Sequence, residues 1–411
     1  MTAHHYRTAL AIAAVLVFFT NLSVYVSYAE IAPISPWHIM LVFGVAATPF
    51  SFSDDCLARM RRTPAVYWCY GFVLISGVWL LFQGVPSTAA WQEFRTRILS
   101  AFLLLLLVSL FSDDQAQRWA RRAVLGAVLM AVGLNIYELF NPLAFSPAVG
   151  RSAGFYLNPN QSGAGLILGL IFSVGLLPRR YRLLFAFTVG LGVFLTFSRA
   201  AIAGWFITVF AIIATGVINL RRSFVVASFA LTVTAFVLIS QWDDLRYRLE
   251  DSGVLNNDVS GRIQGFADIG QPYSDESAAV RGEVAAGAWE MFADKPVLGH
   301  GVGASKEWRF EVATHNEYLS LMVDHGFIGF FLLPLLAVAA SWRARGETRN
   351  IGIAFAVFVL FWGLFSHSIL EESDVLIMFS LLSAMAVSSR RDPKCEQRAF
   401  ARLRPSHATS S

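Results

Sequence analysis

The chain has 411 residues, 56% of them hydrophobic and only 15% charged, with a mean hydropathy of +0.56. Soluble domains carry roughly 25% charged residues, so a water-soluble enzyme of this size is excluded and a polytopic membrane protein is expected. The net charge of +4 and pI near 9.0 do not make nucleic acid a partner, because in a membrane protein the side on which Lys and Arg lie matters more than their sum.

A spanning helix needs about 20 apolar residues. The apolar runs predict about twelve such helices, making the chain an all-α polytopic membrane protein. The first six lie at about Ala9 to Tyr28, His38 to Phe52, Val66 to Phe82, Ile98 to Phe111, Ala120 to Tyr137 and Ser162 to Leu177. Six more lie at about Leu183 to Phe197, Ala200 to Ile218, Ser223 to Ser240, Tyr318 to Ala340, Ile351 to Leu370 and Val375 to Val387. This divides the chain into 1–240 with helices 1–9, a long loop at 241–317, helices 10–12 at 318–387, and a basic tail at 388–411.

Cytoplasmic loops hold the Lys and Arg excess, which tests the parity of the count. Arg59, Arg61 and Arg62 share one side with Arg118, Arg121 and Arg122, with Arg179, Arg180 and Arg182, with Arg221 and Arg222, and with Arg343, Arg345 and Arg349. The basic tail joins them, so both termini are expected in the cytoplasm, with the tail solvated or resting on membrane lipids. The first span is followed by more membrane and reads as a retained anchor. The loop 241–317 falls on the opposite side and holds 14 Asp and Glu against seven Lys and Arg. Cys56, Cys69 and Cys395 all lie away from the oxidising side, so no disulfide is expected. No HExxH, CxxC or paired-carboxylate ligand set is present, so no metal and no other cofactor is expected.

Eleven Lys and Arg remain outside by this topology, and three arginines among them stand out. Arg199 sits in Thr196-Phe197-Ser198-Arg199-Ala200 between two apolar runs with almost no loop. An unpaired guanidinium within the bilayer costs at least a few kcal/mol. Arg199 therefore either snorkels to headgroups or a loop carboxylate, or binds an anion, for which its planar fork is suited. Arg151 opens Arg151-Ser152-Ala153-Gly154-Phe155-Tyr156-Leu157-Asn158-Pro159-Asn160-Gln161-Ser162, where Asn160 either caps a helix or contacts substrate. In the long loop, Asp275 to Phe292 reads as a helix packed through Val280, Val284, Ala288 and Met291 and ended by Lys295-Pro296. Arg281 lies in its first turns, against the macrodipole, and is either paired with Glu276 or Glu283 or aimed at a ligand.

Val297-Leu298-Gly299-His300-Gly301-Val302-Gly303 follows, a turn whose glycines permit tight backbone folding. It lacks the Lys-Ser/Thr of a phosphate-binding loop. Thr314-His315-Asn316-Glu317-Tyr318-Leu319 then leads into an apolar helix. A lone loop histidine is most often a polar surface residue, while a neutral imidazole at this position is able to take a proton from a hydroxyl.

In order, spacing and side of the membrane, these elements resemble the O-antigen ligase and O-antigen polymerase superfamily of bacterial inner-membrane glycosyltransferases. The resemblance rests on Arg-x-x-Gly-Phe-x-x-Asn-Pro-Asn at 151–160, on Ser198-Arg199-Ala200, and on Arg281-Gly282-Glu283 running through Lys295-Pro296 to Gly303. It is completed by His315-Asn316-Glu317-Tyr318-Leu319 and His325-Gly326-Phe327-Ile328-Gly329. One departure is Ala285, where relatives often carry an aromatic; Trp289, one turn on, is expected to fill that space.

The resemblance implies a GT-C-type fold in the bacterial inner membrane, with a periplasmic loop capping a cavity that faces the periplasm. It implies a donor glycan on undecaprenyl diphosphate, metal-independent transfer to a lipid A-core acceptor, Arg199 and Arg281 as diphosphate-binding residues and His315 as the catalytic base. Arg151, Asn160 and Asn316 are further candidates for substrate contact. An O-antigen polymerase would use the same donor chemistry. A twelve-helix secondary transporter is the non-enzyme alternative, disfavoured by the absence of an inverted repeat and by the long outer loop.

Overall fold

The computed structural model describes residues 3–32, 35–148, 150–220, 224–225, 228, 276–308 and 314–390. The basic tail, the first part of the long loop and nearly all of the ninth expected span lie outside the described residues.

Among the described residues the regular structure is entirely helical. Helices α1 (Ala3–Ala14), extended by a π-turn at Val15–Phe19, and α2 (Leu22–Tyr28) come first, bent by 55° at Thr20 and Asn21. Then follow α3 (Pro36–Ser51), α4 (Asp54–Met60), α5 (Pro64–Phe82), α6 (Thr88–Phe111) and α7 (Asp114–Phe140). The central helices are α8 (Pro159–Ser173), α9 (Arg182–Leu195) and α10 (Arg199–Ala214). The chain continues with α11 (Glu276–Asp294), α12 (Glu317–His325), α13 (Phe327–Ser341), α14 (Gly346–Trp362) and α15 (Ser373–Ser388).

Helix starts follow local chemistry. Pro fills the first turn of α3, α5 and α8, where a missing N–H costs nothing. Asp113 caps α7 by accepting from the Gln115 and Ala116 amides, both at 3.0 Å. The largest departure from the sequence expectation is α6. It begins at Thr88 rather than near Ile98, because Ser87 caps it at the Ala90 amide (3.0 Å) and Glu93 and Arg97 pair one turn apart inside it. The run expected as one span from Tyr318 is broken at Gly326, whose φ of 63° ends α12 and starts α13.

Among the described residues three helices, α5, α6 and α7, are long and apolar enough to cross a membrane, and up to five spans result if each of the bent pairs α1/α2 and α3/α4 counts as one. Outward-facing Val45, Leu81, Phe82 and Phe210 are all more than 70% exposed, as expected of side chains that meet lipid. The core is built on α8 and α15. Every residue from Ser162 to Ser173 and from Asp374 to Val387 is buried, which is why both helices are apolar all round. At 1.5 Å per residue these helices are about 22 and 24 Å long, short of the ~30 Å hydrocarbon thickness.

At the opposite end, the arginines expected to share one side come together. Arg59 pairs with Asp55 (3.0 Å) and Asp114 (3.7 Å), Arg121 with Glu347 (2.5 Å), and Arg390 donates to the Arg62 carbonyl (3.5 Å). Cys56 and Cys69 are buried thiols without a disulfide.

Candidate functional site

Three of the singled-out segments use one backbone device. Leu157 (φ 61°), Phe197 (φ 47°) and His315 (φ 49°) each occupy the left-handed region immediately before a helix cap. The caps are Asn158, Ser198 and Asn316, which accept from the amides of Asn160 (2.9 Å), Ala201 (3.4 Å) and Leu319 (3.1 Å). A non-glycine residue held there costs of order 1–3 kcal/mol, and such strain gathers at functional sites. Asn316 thus spends its side-chain oxygen on α12.

The first half of the site joins the Arg151 and Arg199 segments. Arg151 donates through Nε to the Thr196 carbonyl (3.0 Å) and through Nη2 to Asn160 Oδ1 (3.1 Å), while the Ser152 amide donates to the Leu195 carbonyl (3.1 Å). This ties the Arg151 segment to the turn where Arg199 opens α10. Beneath it, Glu138 accepts from the amides of Ser146 (2.9 Å), Ala153 and Gly154 (both 2.8 Å) and from the Ser146 hydroxyl (2.7 Å). Asn135 donates to Ser162 Oγ (3.2 Å) and the Gly192 carbonyl (3.1 Å).

The second half is built by α11 and the segment leading into α12. Helix α11 buries Val284, Ala288 and Phe292, leaving Val280 and Arg281 on its exposed side. Trp289 is 56% exposed and packs on Phe292 at 5.4 Å, so it does not fill the space expected of it beside Ala285; the buried line along the helix runs through 284, 288 and 292. His315 is half-buried, and burial followed by the nearby positive charge of Arg281 lowers its pKa. Its ring meets that of His367 edge-on at 5.4 Å. Burial, then His315 and Lys306, push His367 down to about 4. A neutral imidazole beside a guanidinium is thus fixed at this end of the bundle.

The segment 363–372 links the halves. The Ile369 amide donates to Glu317 Oε2 (3.1 Å), the Glu317 amide to the Gly363 carbonyl (2.8 Å), and Gln161 Nε2 reaches Glu372 Oε1 at 3.4 Å. Burial, then Glu371, push the Glu317 carboxyl up to about 8.

The sequence reading missed a buried ionic network behind this site. Arg97, 3% exposed, donates to Glu93 Oε1 (2.9 Å) and Ser76 Oγ (3.3 Å), and also contacts Asp324 and His325 Nε2. Asp324 accepts from the amides of Gly303 (3.1 Å) and Ser305 (3.0 Å). Lys306 then bridges Glu93 Oε2 (2.5 Å) and Glu371 Oε1 (3.1 Å). The glycine-rich turn docks by backbone, with the His300 amide on the Val323 carbonyl (2.8 Å) and the Phe327 amide on the Pro296 carbonyl (2.8 Å). A Cβ on Gly299 would lie 2.5 Å from the Gly326 nitrogen. The expected tight folding is therefore real, but its surface is the α12–α13 break. His300 is occupied in holding this turn to α11, its Nε2 lying 2.6 Å from the Met291 carbonyl. The signals available for the network were the Glu93–Arg97 spacing and two ionisable residues, Asp324 and His325, in an apolar run.

No curated protein matches the chain. Residues 183–334 match the family model described as O-antigen ligase, a stretch that holds Arg199, Arg281, His315 and Asn316, so this part of the chain is similar to the O-antigen ligase superfamily.

Proposed function

We propose that the protein is an O-antigen ligase of the bacterial inner membrane. It transfers a glycan from undecaprenyl diphosphate to a sugar hydroxyl of lipid A-core at a site facing the periplasm, within a twelve-span GT-C-type fold. The observation that carries this reading is His315, a half-buried imidazole kept neutral by burial and by Arg281 and set edge-on against His367.

Negative charge grows on the diphosphate as the anomeric C–O bond breaks. Arg199 and Arg281 neutralise it, with removal of either costing about 10²- to 10³-fold in rate, and the reaction requires no metal ion. His315 takes the acceptor proton, a step typically worth about 10²- to 10⁴-fold. Arg151 and Asn160, hydrogen-bonded together, shape the donor side, and Asn316 fixes the backbone beside His315. Attack opposite the leaving group inverts the anomeric centre.

Reconstitution with an undecaprenyl-diphosphate glycan and lipid A-core is the test. Glycan on the core, undiminished by chelator and reduced at least about 100-fold in His315→Ala, is the expected result. Longer undecaprenyl-linked glycan would make the protein a polymerase, and full transfer by His315→Ala would remove the base assignment. Counterflow of a small solute without any transfer would point to a transporter.

A further inference from the structure

A cavity of about 370 Å³ opens where α1 breaks into α2, walled by α3 and α6 and floored by the first residues of α15. Its volume lies in the range of small-ligand sites, about 300–1,000 Å³. Asp374 lines it, is 5% exposed, and has an Oδ2 with no hydrogen-bond partner. Glu372, also in its wall, is held through Oε1 by Ser366 (3.2 Å) and Ser368 (2.8 Å), while its Oε2 has no partner. Buried acceptors of this kind lose about 1–3 kcal/mol unless a donor meets them. At the rim Trp37 is 45% exposed and stacks on His38 at 3.7 Å.

The polarity of the cavity is opposite to that of the arginine side, and the two meet on the first turn of α8. Asn160 faces Arg151, and the next residue, Gln161, faces Glu372. A diphosphate finds a cation at the first and none in the lining of the second. A ligand rich in hydroxyl donors with an apolar ring face fits the acidic cleft, since carboxylates accept from hydroxyls and an indole packs on the ring.

We propose that this cleft is a sugar subsite, in which an uncharged sugar ring lies against Trp37 and donates hydroxyls to Asp374 and Glu372. The identity of the sugar rests on the transfer reading above: it belongs either to the lipid A-core acceptor or to the first unit of the donor glycan. In both cases the ring is bound beside, and apart from, the diphosphate.

The test uses the purified full chain in detergent, titrated calorimetrically with two phosphate-free probes, a core oligosaccharide and a repeat-unit oligosaccharide. One of them is expected to bind, at least 10-fold more weakly to Trp37→Ala and to Asp374→Asn, with inorganic pyrophosphate unable to compete. Binding of neither sugar, equal binding by both variants, or competition by pyrophosphate would each overturn the subsite. Trp37 lies at the exposed rim, so Trp37→Ala reads the proposal even if Asp374→Asn does not fold. In the transfer assay a raised KM for lipid A-core alone assigns the cleft to the acceptor, and a raised KM for donor alone assigns it to the donor. A chain without transfer that still binds sugar through Trp37 would refute the ligase reading and uphold the subsite.

Discussion

His315 combines a strained backbone, half burial and a neighbouring guanidinium, and each has a chemical effect. The strain fixes the imidazole relative to the Asn316 cap. Burial and Arg281 lower its pKa, keeping it a base at neutral pH. Replacing Arg281 by Gln removes the second cause, so the acid limb of the kcat/KM profile should move up toward the ordinary histidine value; an unmoved limb would separate Arg281 from His315. Two neighbours set the pH dependence of stability. His367, pushed from 6.5 to about 4, contributes stability that is complete above pH 6.5 and lost as pH falls through about 4. Glu317, raised from 4.5 to about 8, contributes stability that is complete below pH 4.5 and lost as pH rises through about 8. Between pH 6.5 and 8 only Glu317 of the pair changes, so stability should fall by about 2 kcal/mol across that window. Thermal unfolding of Glu317→Gln in detergent should be flat over the same range. Arg151, Arg199, Arg281 and His315 were legible in the sequence because each stands out against an apolar or acidic background. Glu317, His367 and Glu372 were not, since nothing local in the sequence brings residues some fifty positions apart to one loop.

At the scale of elements, the site is held by contacts between helices that hydropathy alone reads poorly. An apolarity window starts α6 near Ile98, since the preceding turns carry Glu93 and Arg97. In the fold those charges are paired with each other and with Asp324, so the helix extends to Thr88. The same pairing holds the glycine-rich turn through Gly303 and Ser305, and Lys306 extends it to Glu371. Arg97→Leu leaves the buried Asp324 without its cation, and Glu93 with Lys306 alone, and should cost about 3–5 kcal/mol. Unfolding of the purified variant in detergent checks this, and a loss below about 1 kcal/mol would show the network to be dispensable. The break at Gly326 was hidden for a similar reason. The motif His325-Gly326-Phe327 reads as continuous apolar helix, while the backbone of Pro296 and Val297 occupies the space that a Cβ there would need.

For the whole molecule, the all-helical architecture and the gathering of basic residues at one end were legible from composition and the arginine pattern. The depth of individual helices was not. The two helices most deeply buried, α8 and α15, are among the shorter ones, and a length criterion passes over them because neighbouring helices shield them on every side. Their position has a consequence for biogenesis. Helix α15 packs against α6 and reaches α1 through Ser373 Oγ on the Phe18 carbonyl (3.0 Å), and against α6 through Ser380 Oγ on the Leu104 carbonyl (3.1 Å). These partners are about 280 to 360 positions earlier in the chain, so they emerge from the ribosome long before α15 and wait with an open seam between them. Closing such a sequence-distant contact is slow. The 363–372 segment, which carries His367 to His315 and Glu372 to Gln161, is set in place only when that seam closes. The order of synthesis therefore keeps the site unassembled until α15 has been made.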